Sequence, residues 1–554
     1  MDDPAAPPRP GQMAVLAVLL VGAFMILLDI TIVNVALPTI QRGLHATYSS
    51  IEWVISGYAL SYGLLLIPAG RAGDRLGHRR TFLVGMIGFT VSSLLCGALA
   101  RTPGSLVAWR IVQGAMAGIM NPPILAIIQS VFPAREQGKA FGLYGAVAGL
   151  ATALGPLAGG LLIAWNFHGW GWRPIFLVNV PIGVFGTLAA LRVIPESRGA
   201  REPLDVPGIA LVSLALILVT YPLIEGQAVG WPAWTFIALA CAAPVLAAFA
   251  LWERALEARG RTPLIRVSLF RHRSFAAGTG VSLAYFAGFI GFLFALSLHL
   301  QIGLGWTALR AGLAILPFAL GTFVGGALSD GLTRRMGRGV LLLGSAVVCV
   351  AVGVVILVIR GRAVSLTGLD LLPALAVGAI GSGLVIAPNV GVILSGVPWR
   401  DAGSASGVLN TSQRVGQAIG VAVVGAALFA SLGAYAPRAA AATLPQLRTE
   451  LAAARFTPAL ATQSTHRFSA CFQAQVGSQD PTVAPAGCAE GGTGPVTAAF
   501  SGAARRALAL DFTHAVQWAG LCALGALVLT LLLVFLLPRR TGHADRAQTA
   551  PPAG

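Results

Sequence analysis

The sequence predicts an all-α protein that crosses a membrane fourteen times. Three observations support this fold class: long apolar stretches, a one-sided distribution of basic residues, and an internal repeat. A hydrocarbon core of ~30 Å requires about 20 apolar residues in a helix, and lipid requires every backbone polar group to be bonded internally. The predicted spans are 12–37, 49–70, 81–100, 105–130, 140–164, 174–194, 206–225, 233–252, 275–300, 308–328, 339–359, 371–394, 404–430 and 513–537.

The basic residues predict the orientation. Most Lys and Arg residues outside the spans fall on the side of the N-terminus, and an excess of positive charge marks cytoplasmic loops. Both termini, the tails 1–11 and 539–554, are therefore expected in the cytoplasm. The net charge of +17 is spread over short loops, which indicates contact with anionic membrane lipids and argues against nucleic acid as a partner. The polar, Pro-rich tail lacks a basic start, so the first span is expected to be retained rather than cleaved.

Two cytoplasmic segments resemble each other. Residues 70–80 follow the second span and residues 326–338 follow the tenth, and both contain Gly-x-x-x-Asp followed by a basic turn. The repeat predicts two six-helix bundles, at 12–200 and 261–538, with two inserted helices at 201–260. Within the second bundle, the outward segment 431–512 is too polar to be a span, and we expect a long extracytoplasmic loop there.

Few charged residues lie deep in the spans, where charge is costly and is therefore a sign of function. They are Asp29 in the first span, Arg110 in the fourth and Arg414 in the thirteenth. Asp29 is interpreted either as a carboxylate satisfied by helix packing, or as one in a cavity that exchanges a proton and attracts cationic ligands. Arg110 keeps its charge, so it either holds an ion pair that breaks during transport or extends to the outer interface.

Further polar residues are candidates for contact with a substrate, together with Asp29. They are Asn34, Gln113, Glu225 and Gln301. Glu225 fits equally well a helix-end carboxylate in water, and Gln301 a residue at the membrane interface. The histidines show no metal-ligand spacing and the chain has no Walker-type phosphate loop. We therefore expect no metal, no cofactor and no ATP, and a proton gradient as the energy source.

The fifth span combines small residues with a proline. Gly145, Gly149, Gly155 and Gly159 provide small positions at which another helix can approach closely. Pro156 removes a backbone hydrogen bond and bends the helix. The pattern predicts either a packing face or a packing face that also takes part in gating.

These segments together resemble the fourteen-helix drug:proton antiporters of the major facilitator superfamily, the EmrB/QacA type. Residues 28–38, 110–114, 145–160 and 172–181 are similar to motifs of that family. The resemblance implies the major facilitator fold, a role in proton coupling for Asp29 and Arg110, and antiport as the role of the fifth span.

The resemblance also implies a cytoplasmic latch. In that family the loop between the second and third helices closes the cytoplasmic side, which assigns gating roles to Gly70, Asp74, Arg75, Gly77, Arg79 and Arg80 here. Asp330 and Arg334 are the corresponding residues of the second copy. Arg71 and Ala72 depart from the family pattern, and the second copy is degenerate.

Three functions are compatible with the sequence. The first is export of amphiphilic, cationic drugs in exchange for protons, by a monomer that is not an enzyme. The second is a dedicated exporter of one metabolite of the host, such as an antibiotic or a lipid. The third is a receptor or partner-binding protein that uses the outward segment 431–512 and transports nothing.

Cys471 and Cys488 are the only cysteines outside the predicted spans. Both fall in the outward segment, in an oxidising compartment where disulfides persist. The simplest expectation is a bond between them, and the alternative is two free thiols.

Overall fold

The computed structural model describes residues 10–198, 205–226, 229–261, 263–395, 402–476, 488 and 495–537. These residues form sixteen α-helices and no β-strand. The helices are α1 Pro10–Leu44, α2 Tyr48–Leu76, α3 His78–Leu94, α4 Pro103–Val131, α5 Ala134–Trp165, α6 Pro174–Leu177, α7 Asn179–Val193, α8 Val206–Glu225, α9 Ala233–Ala258, α10 Arg273–Leu298, α11 Ala308–Met336, α12 Gly339–Arg362, α13 Gly368–Ser395, α14 Ala402–Ala453, α15 Pro458–Val476 and α16 Pro495–Val534.

Every predicted span lies on a helix. In the described residues twelve helices are long and apolar enough to cross a membrane, and α2 makes a thirteenth if its two parts are one span. α2 bends by 47° between Leu66 and Pro68, because proline cannot donate a backbone hydrogen bond and its ring displaces the preceding turn. The predicted fifth span lies on α5, where Leu154–Trp165 is a shorter apolar helix. The predicted all-α membrane fold is confirmed.

The helices form two bundles that meet along two helix pairs. α1–α7 pack together, as do α10–α14 and α16, and the bundles meet where α2 contacts α14 and where α5 contacts α11. The inserted helices α8 and α9 pack on each other, and α8 also contacts both α2 and α14. The insertion therefore touches both bundles instead of lying against one of them.

The buried core shows where the two bundles are joined. We call the side that carries 38–48 and 431–512 the outer side. The largest cluster of buried apolar residues lies toward this side and joins both bundles, with Ile40 from the first and Phe294 from the second. A second cluster, which includes Phe82 and Met120, is built from the first bundle alone. Among the described residues, the two bundles thus share their core on the outer side.

In its described residues, 431–476, 488 and 495–512, the outward segment is largely helical, whereas its polarity predicts a loop. α14 continues to Ala453, α15 follows, and α16 begins at Pro495. Phe468 and Phe472 of α15 are buried in the core shared by the bundles. The Ala-rich stretches lack the apolar content of a span, but alanine has the highest helix propensity and needs only one buried face to remain helical in water. We call 431–512 the outer extension.

Cys471 and Cys488 form a disulfide bond in the outer extension, with their Cα atoms 5.6 Å apart. The bond ties α15 to residue 488, shortly before α16 begins. Arg506 of α16 also donates to Glu450 of α14 at 3.1 Å. The extension is therefore tied together by a covalent link and by an ion pair.

Candidate functional site

The two charges expected to take part in proton coupling, Asp29 and Arg110, form a buried ion pair. Asp29 of α1 exposes none of its surface, and Arg110 of α4 exposes 1%. Nη1 of Arg110 donates to Oδ2 of Asp29 at 2.5 Å. Because a charge removed from water must be paired, the formation of this contact explains how the first bundle tolerates both residues.

Neutral polar side chains complete the coordination of the carboxylate. Gln113 donates to Oδ1 of Asp29 at 3.0 Å and accepts from Arg110 at 2.8 Å. Asn179, at the start of α7, donates to the same Oδ1 at 3.3 Å. Gln113 and Asn179 also donate to the hydroxyl of Ser93 at 3.1 Å each. Five residues from α1, α3, α4 and α7 thus form one network, which we call the Asp29 network.

Arg110 is held on its other faces by α2. Its Nε donates to the carbonyl of Val54 at 3.2 Å, and its Cζ lies 4.1 Å from the centre of the Tyr58 ring. The hydroxyl of Tyr58 is buried and has no hydrogen-bond partner among the described residues. The guanidinium therefore connects the Asp29 network to α2, the helix that contacts the second bundle.

The position of Asp29 corrects one expectation. The cavity interpretation placed its carboxylate where it would attract a cationic ligand, but the structure places it inside the first bundle with protein donors on both oxygens. The side chain forms the packed, hydrogen-bonded arrangement of the alternative interpretation. In this conformation Asp29 is placed to act on Arg110 rather than on a substrate.

The remaining substrate candidates lie apart from this network. Ser297 of α10 donates to the carbonyl of Asn34 at 2.9 Å and accepts from Gln301 at 3.1 Å. Asn34 and Gln301 thus join the bundles near the outer side. Glu225 ends α8 and accepts a hydrogen bond from Nε1 of Trp53 at 3.0 Å. Of the substrate candidates, only Gln113 shares a site with Asp29.

The predicted latch residues contact the first bundle. Asp74 lies 3.3 Å from Nε2 of His78, whereas Arg80 lies 3.6 Å from Glu196, which follows α7. The backbone of Arg79 also donates to Glu196. Glu196 was not identified from the sequence, because a glutamate in a polar segment after a helix carries no distinctive pattern.

Two glycines of the latch segment differ in their surroundings. Gly77 has φ +111°, a conformation open mainly to glycine, and a β-carbon there would overlap the Glu196 carboxylate. A β-carbon added at Gly70 would lie 3.8 Å from Pro122, in ordinary van der Waals contact. Arg75 is exposed. The side chains of Asp330 and Arg334 lie outside the described residues.

α5 packs closely on both neighbours through its small residues. A β-carbon at Gly155 would overlap the Thr31 hydroxyl of α1, and one at Gly159 would lie 3.0 Å from Ile32. On the neighbouring face of α5, the carbonyl of Pro156 would lie 2.5 Å from a β-carbon on Gly312 of α11. Gly145 and Gly149 also lie on α5. The helix is therefore in close contact with a helix of each bundle.

A second polar region lies between α2 and α14, and we call this contact surface the seam. Arg414 of α14 is 8% exposed, and its Cζ lies 4.4 Å from the centre of the Tyr62 ring. It donates to Gln417 at 3.2 Å, and no described residue forms an ion pair with it. Arg110 thus lies over the ring of Tyr58, and Arg414 lies over the ring of Tyr62, one helical turn further along α2.

Direct backbone contacts continue along the seam. Ser56 donates to the carbonyl of Ala418 at 3.3 Å, and Thr411 donates to the carbonyl of Gly63 at 3.1 Å. Such contacts require the helix backbones to approach closely. The seam is therefore a tight, partly polar boundary between the two bundles.

The chain is similar to several known transport proteins. The family model described as Major Facilitator Superfamily matches residues 19–421. The "Probable actinorhodin transporter" of Streptomyces coelicolor is 38% identical over 87% of this chain and 84% of its own length. The "Tetracenomycin C resistance and export protein" of Streptomyces glaucescens is 35% identical over 78% and 79%. The "Multidrug resistance protein Stp" of Mycobacterium tuberculosis is 34% identical over 74% and 75%.

Solved structures agree on the fold. A bacterial homolog of the human lysosomal transporter Spinster has a TM-score of 0.56 with 18% identity, and covers 96% of this chain and 98% of its own. A D-xylose–proton symporter has a TM-score of 0.53 with 15% identity, and covers 75% and 90%. At these identities the likeness concerns the fold alone.

Proposed function

Because the chain belongs to the major facilitator superfamily, we propose that it exports amphiphilic small molecules from the cytoplasm in exchange for protons. It acts as a monomer in the cytoplasmic membrane, with both termini inside and anionic lipids around its basic loops. A proton gradient supplies the energy and no cofactor is required. The names of the relatives, which describe export and antibiotic resistance, support export as the direction.

The Asp29–Arg110 ion pair is the observation that carries this proposal. Arg110 cannot release its proton at physiological pH, so protonation of Asp29 leaves a buried guanidinium without its counter-charge. Removing one partner of a buried ion pair costs about 3–5 kcal/mol. Reversing a two-state equilibrium from 1:99 to 99:1 needs about 5.5 kcal/mol. One proton at Asp29 therefore changes most of the free energy that a conformational switch requires.

Arg110 also provides a route by which this change reaches the second bundle. It contacts α2 through Val54 and Tyr58, and α2 forms the seam with α14. In an exchange cycle Asp29 takes up its proton while the outer side is open; its release to the cytoplasm lets Arg110 pair with the carboxylate and keep its contacts with α2 in the closed seam. With the termini in the cytoplasm, the shared outer core corresponds to a transporter that is closed outside, and separation of the seam opens it.

The charges at the seam bear on substrate choice. A cationic substrate was expected because of Asp29, but that carboxylate is neutralised by Arg110. Arg414 lacks a carboxylate partner among the described residues and lies against Tyr62. An aromatic compound that carries a phenolate or another anionic group would pair with this guanidinium and stack on the aromatic ring. We therefore propose aromatic, neutral or anionic compounds in preference to cations.

A dedicated exporter of one antibiotic is the second candidate function. The names of two relatives from Streptomyces each specify a single compound, actinorhodin or tetracenomycin C. A protein of this kind would transport one chemical class, whereas a multidrug exporter would transport cations, neutral compounds and anions. A panel of dyes and antibiotics of different charge distinguishes the two.

The proposal is tested in everted membrane vesicles, in which exporters move compounds into the lumen. An imposed pH gradient, acidic inside, should drive accumulation of an aromatic phenolic antibiotic, and a protonophore should abolish it. Asp29→Asn should lose gradient-driven accumulation, because the amide cannot take up a proton. Asp370→Asn is the matched control, since Asp370 contacts Thr367 and Arg362 near the outer surface. Accumulation that is unaffected by both the protonophore and Asp29→Asn would refute proton coupling at this site.

A further inference from the structure

Glu52 is a buried carboxyl group at the outer part of the seam. It lies on α2, is 1% exposed, and packs directly against the backbone of α14. A β-carbon at Gly425 would overlap its Oε1, so the carboxyl group occupies the space left by that glycine. The stacked rings of Tyr48 and Phe429, with centroids 3.9 Å apart, cover the seam on the outer side of this contact.

No cation balances Glu52 in the described part of the chain. Its Oε2 is buried without a hydrogen-bond partner, and it takes part in no ion pair there. The charged group that acts on it is another carboxylate, Glu225 of the inserted helix α8. Glu225 is held at α2 by the hydrogen bond that it accepts from Trp53, the residue next to Glu52. No charged side chain of α14 acts on Glu52 among the described residues.

This environment is compatible only with the neutral form of Glu52. An ionised carboxylate buried without partners is far less stable than a protonated one, and a second negative charge nearby adds to the difference. When α14 separates from α2, the same group meets water and can ionise at ordinary pH. Closing the seam at this point is thus linked to binding one proton.

We propose that Glu52 is a second proton-binding site, which takes its proton from the outer medium and must hold it before α14 can close on α2. This site rests on the proposed exchange of substrate for protons, but its task differs from that of Asp29. An acidic outer medium protonates Glu52 and favours closure after the substrate has left. The proton returns to the outer medium when the seam reopens, so the site senses outer pH and moves no net charge.

Linkage gives the size of the effect. If closure binds one proton at Glu52, the ratio of open to closed molecules rises about tenfold per pH unit above the transition. The sign follows from the neutral form being the closed one: low pH closes the seam and high pH opens it. Glu52→Gln mimics the protonated group and should stay closed throughout. Gly425→Ala places a methyl group where the carboxyl lies, so closure requires Glu52 to turn away, and the variant should shift the equilibrium toward the open seam.

The test measures distances across the outer side in the full-length protein in lipid nanodiscs. Spin labels replace Arg42 at the end of α1 and Arg310 at the start of α11, both exposed, and pulsed electron resonance gives the distance distribution. The four free cysteines are replaced, and the disulfide of the outer extension is kept. Asp29→Asn is present in every sample, so that Asp29 contributes no titration.

We expect the longer distance to increase between pH 5.5 and 8.0 in this background, and Glu52→Gln to abolish the change in favour of the shorter distance. Glu225→Gln, the matched control, should keep the transition but move it to lower pH, because one negative charge is removed. Gly425→Ala should increase the share of the longer distance at both pH values. A pH response that Glu52→Gln leaves unchanged, or no response in the background protein, overturns the proposal.

The measurement requires neither substrate nor a gradient, so its failure is separate from that of the proposed function. If a pH gradient drives accumulation in vesicles but the outer distance does not change with pH, proton-coupled export stands and the role of Glu52 is refuted. If the outer distance depends on pH through Glu52 but export needs no pH gradient, the role of Glu52 in closure stands and proton-coupled export is refuted.

Discussion

Asp29 and Arg110 should be coupled in their contributions to the free energy of unfolding, so that the effects of replacing each one do not add. Asp29→Asn keeps the shape of the side chain but removes the negative charge, and its NH2 group must face a donor, either Arg110 or the amides of Gln113 and Asn179. Arg110→Gln leaves the carboxylate buried with Gln113 and Asn179 as its donors. Each single change therefore leaves a buried group without its partner, whereas the double variant leaves two neutral amides.

The magnitude follows from burial and hydrogen bonding. Both side chains are essentially inaccessible, so solvent screens their attraction little, and loss of one partner should destabilise the fold by about 3–5 kcal/mol. The double variant should be destabilised by little more than either single variant, because it leaves no buried charge without a partner. We expect a coupling energy of about 3 kcal/mol, at the upper end for residues in one network. Arg110→Lys should recover part of the loss, because an ammonium restores the charge but not the planar fork.

The assay is a double-mutant cycle on the purified protein, using reversible unfolding in mixed detergent and sodium dodecyl sulfate micelles. Asp370→Asn serves as the control for loss of a carboxylate at a surface, and it should cost well under 1 kcal/mol. Additivity of the two single changes within about 0.5 kcal/mol would show that the ion pair contributes nothing to stability. Protonation of Asp29 would then be unable to drive a conformational change through Arg110.

The other predictions concern helix packing, substrate charge and the outer extension. Gly155→Leu should abolish export, because its side chain would overlap Thr31, and full resistance in cells expressing it would reduce α5 to ordinary packing. Arg414→Gln should lower transport of anionic aromatic compounds at least tenfold while sparing neutral ones, as measured by initial rates in vesicles; equal losses would indicate a structural role. Replacement of Cys471 and Cys488 by Ser should leave most export intact and increase proteolysis of the extension from outside, and rapid labelling of either thiol without reduction in the unmodified protein would contradict the bond.

Sequence reasoning succeeds where a residue is costly in its environment. Apolar length predicts the helices because a bilayer has one thickness, and every predicted span lies on a helix. Asp29 and Arg110 stand out because charge is rare in such helices. Asn179 and Ser93, which complete the network, do not stand out, because neutral polar residues are common in helices and their partners lie far away in sequence.

Glu52 is a residue whose burial the sequence does not indicate. It is the fifth residue of α2, just past the first turn that Thr47 caps, where a carboxylate is ordinary in a helix that begins in water. Only the position of α14, with a glycine facing it, makes the group buried. The helices of the outer extension do not stand out in the sequence for a related reason, since the faces that they bury are supplied by one another and by the core of the bundles.

The inserted helices acquire a physical role from their position at the seam. α8 touches α2 and α14, and its last residue, Glu225, accepts a hydrogen bond from Trp53 and acts electrostatically on Glu52. A helix that contacts both bundles must change at least one of these contacts when the seam opens, so its packing energy enters the switch directly. The insertion thus adds a negative charge near Glu52, a carboxyl group that must be neutral for closure. Because a nearby negative charge favours the protonated form, Glu52 keeps its proton up to a higher outer pH. The seam therefore closes at a higher outer pH than it would in the same two bundles without the inserted helices.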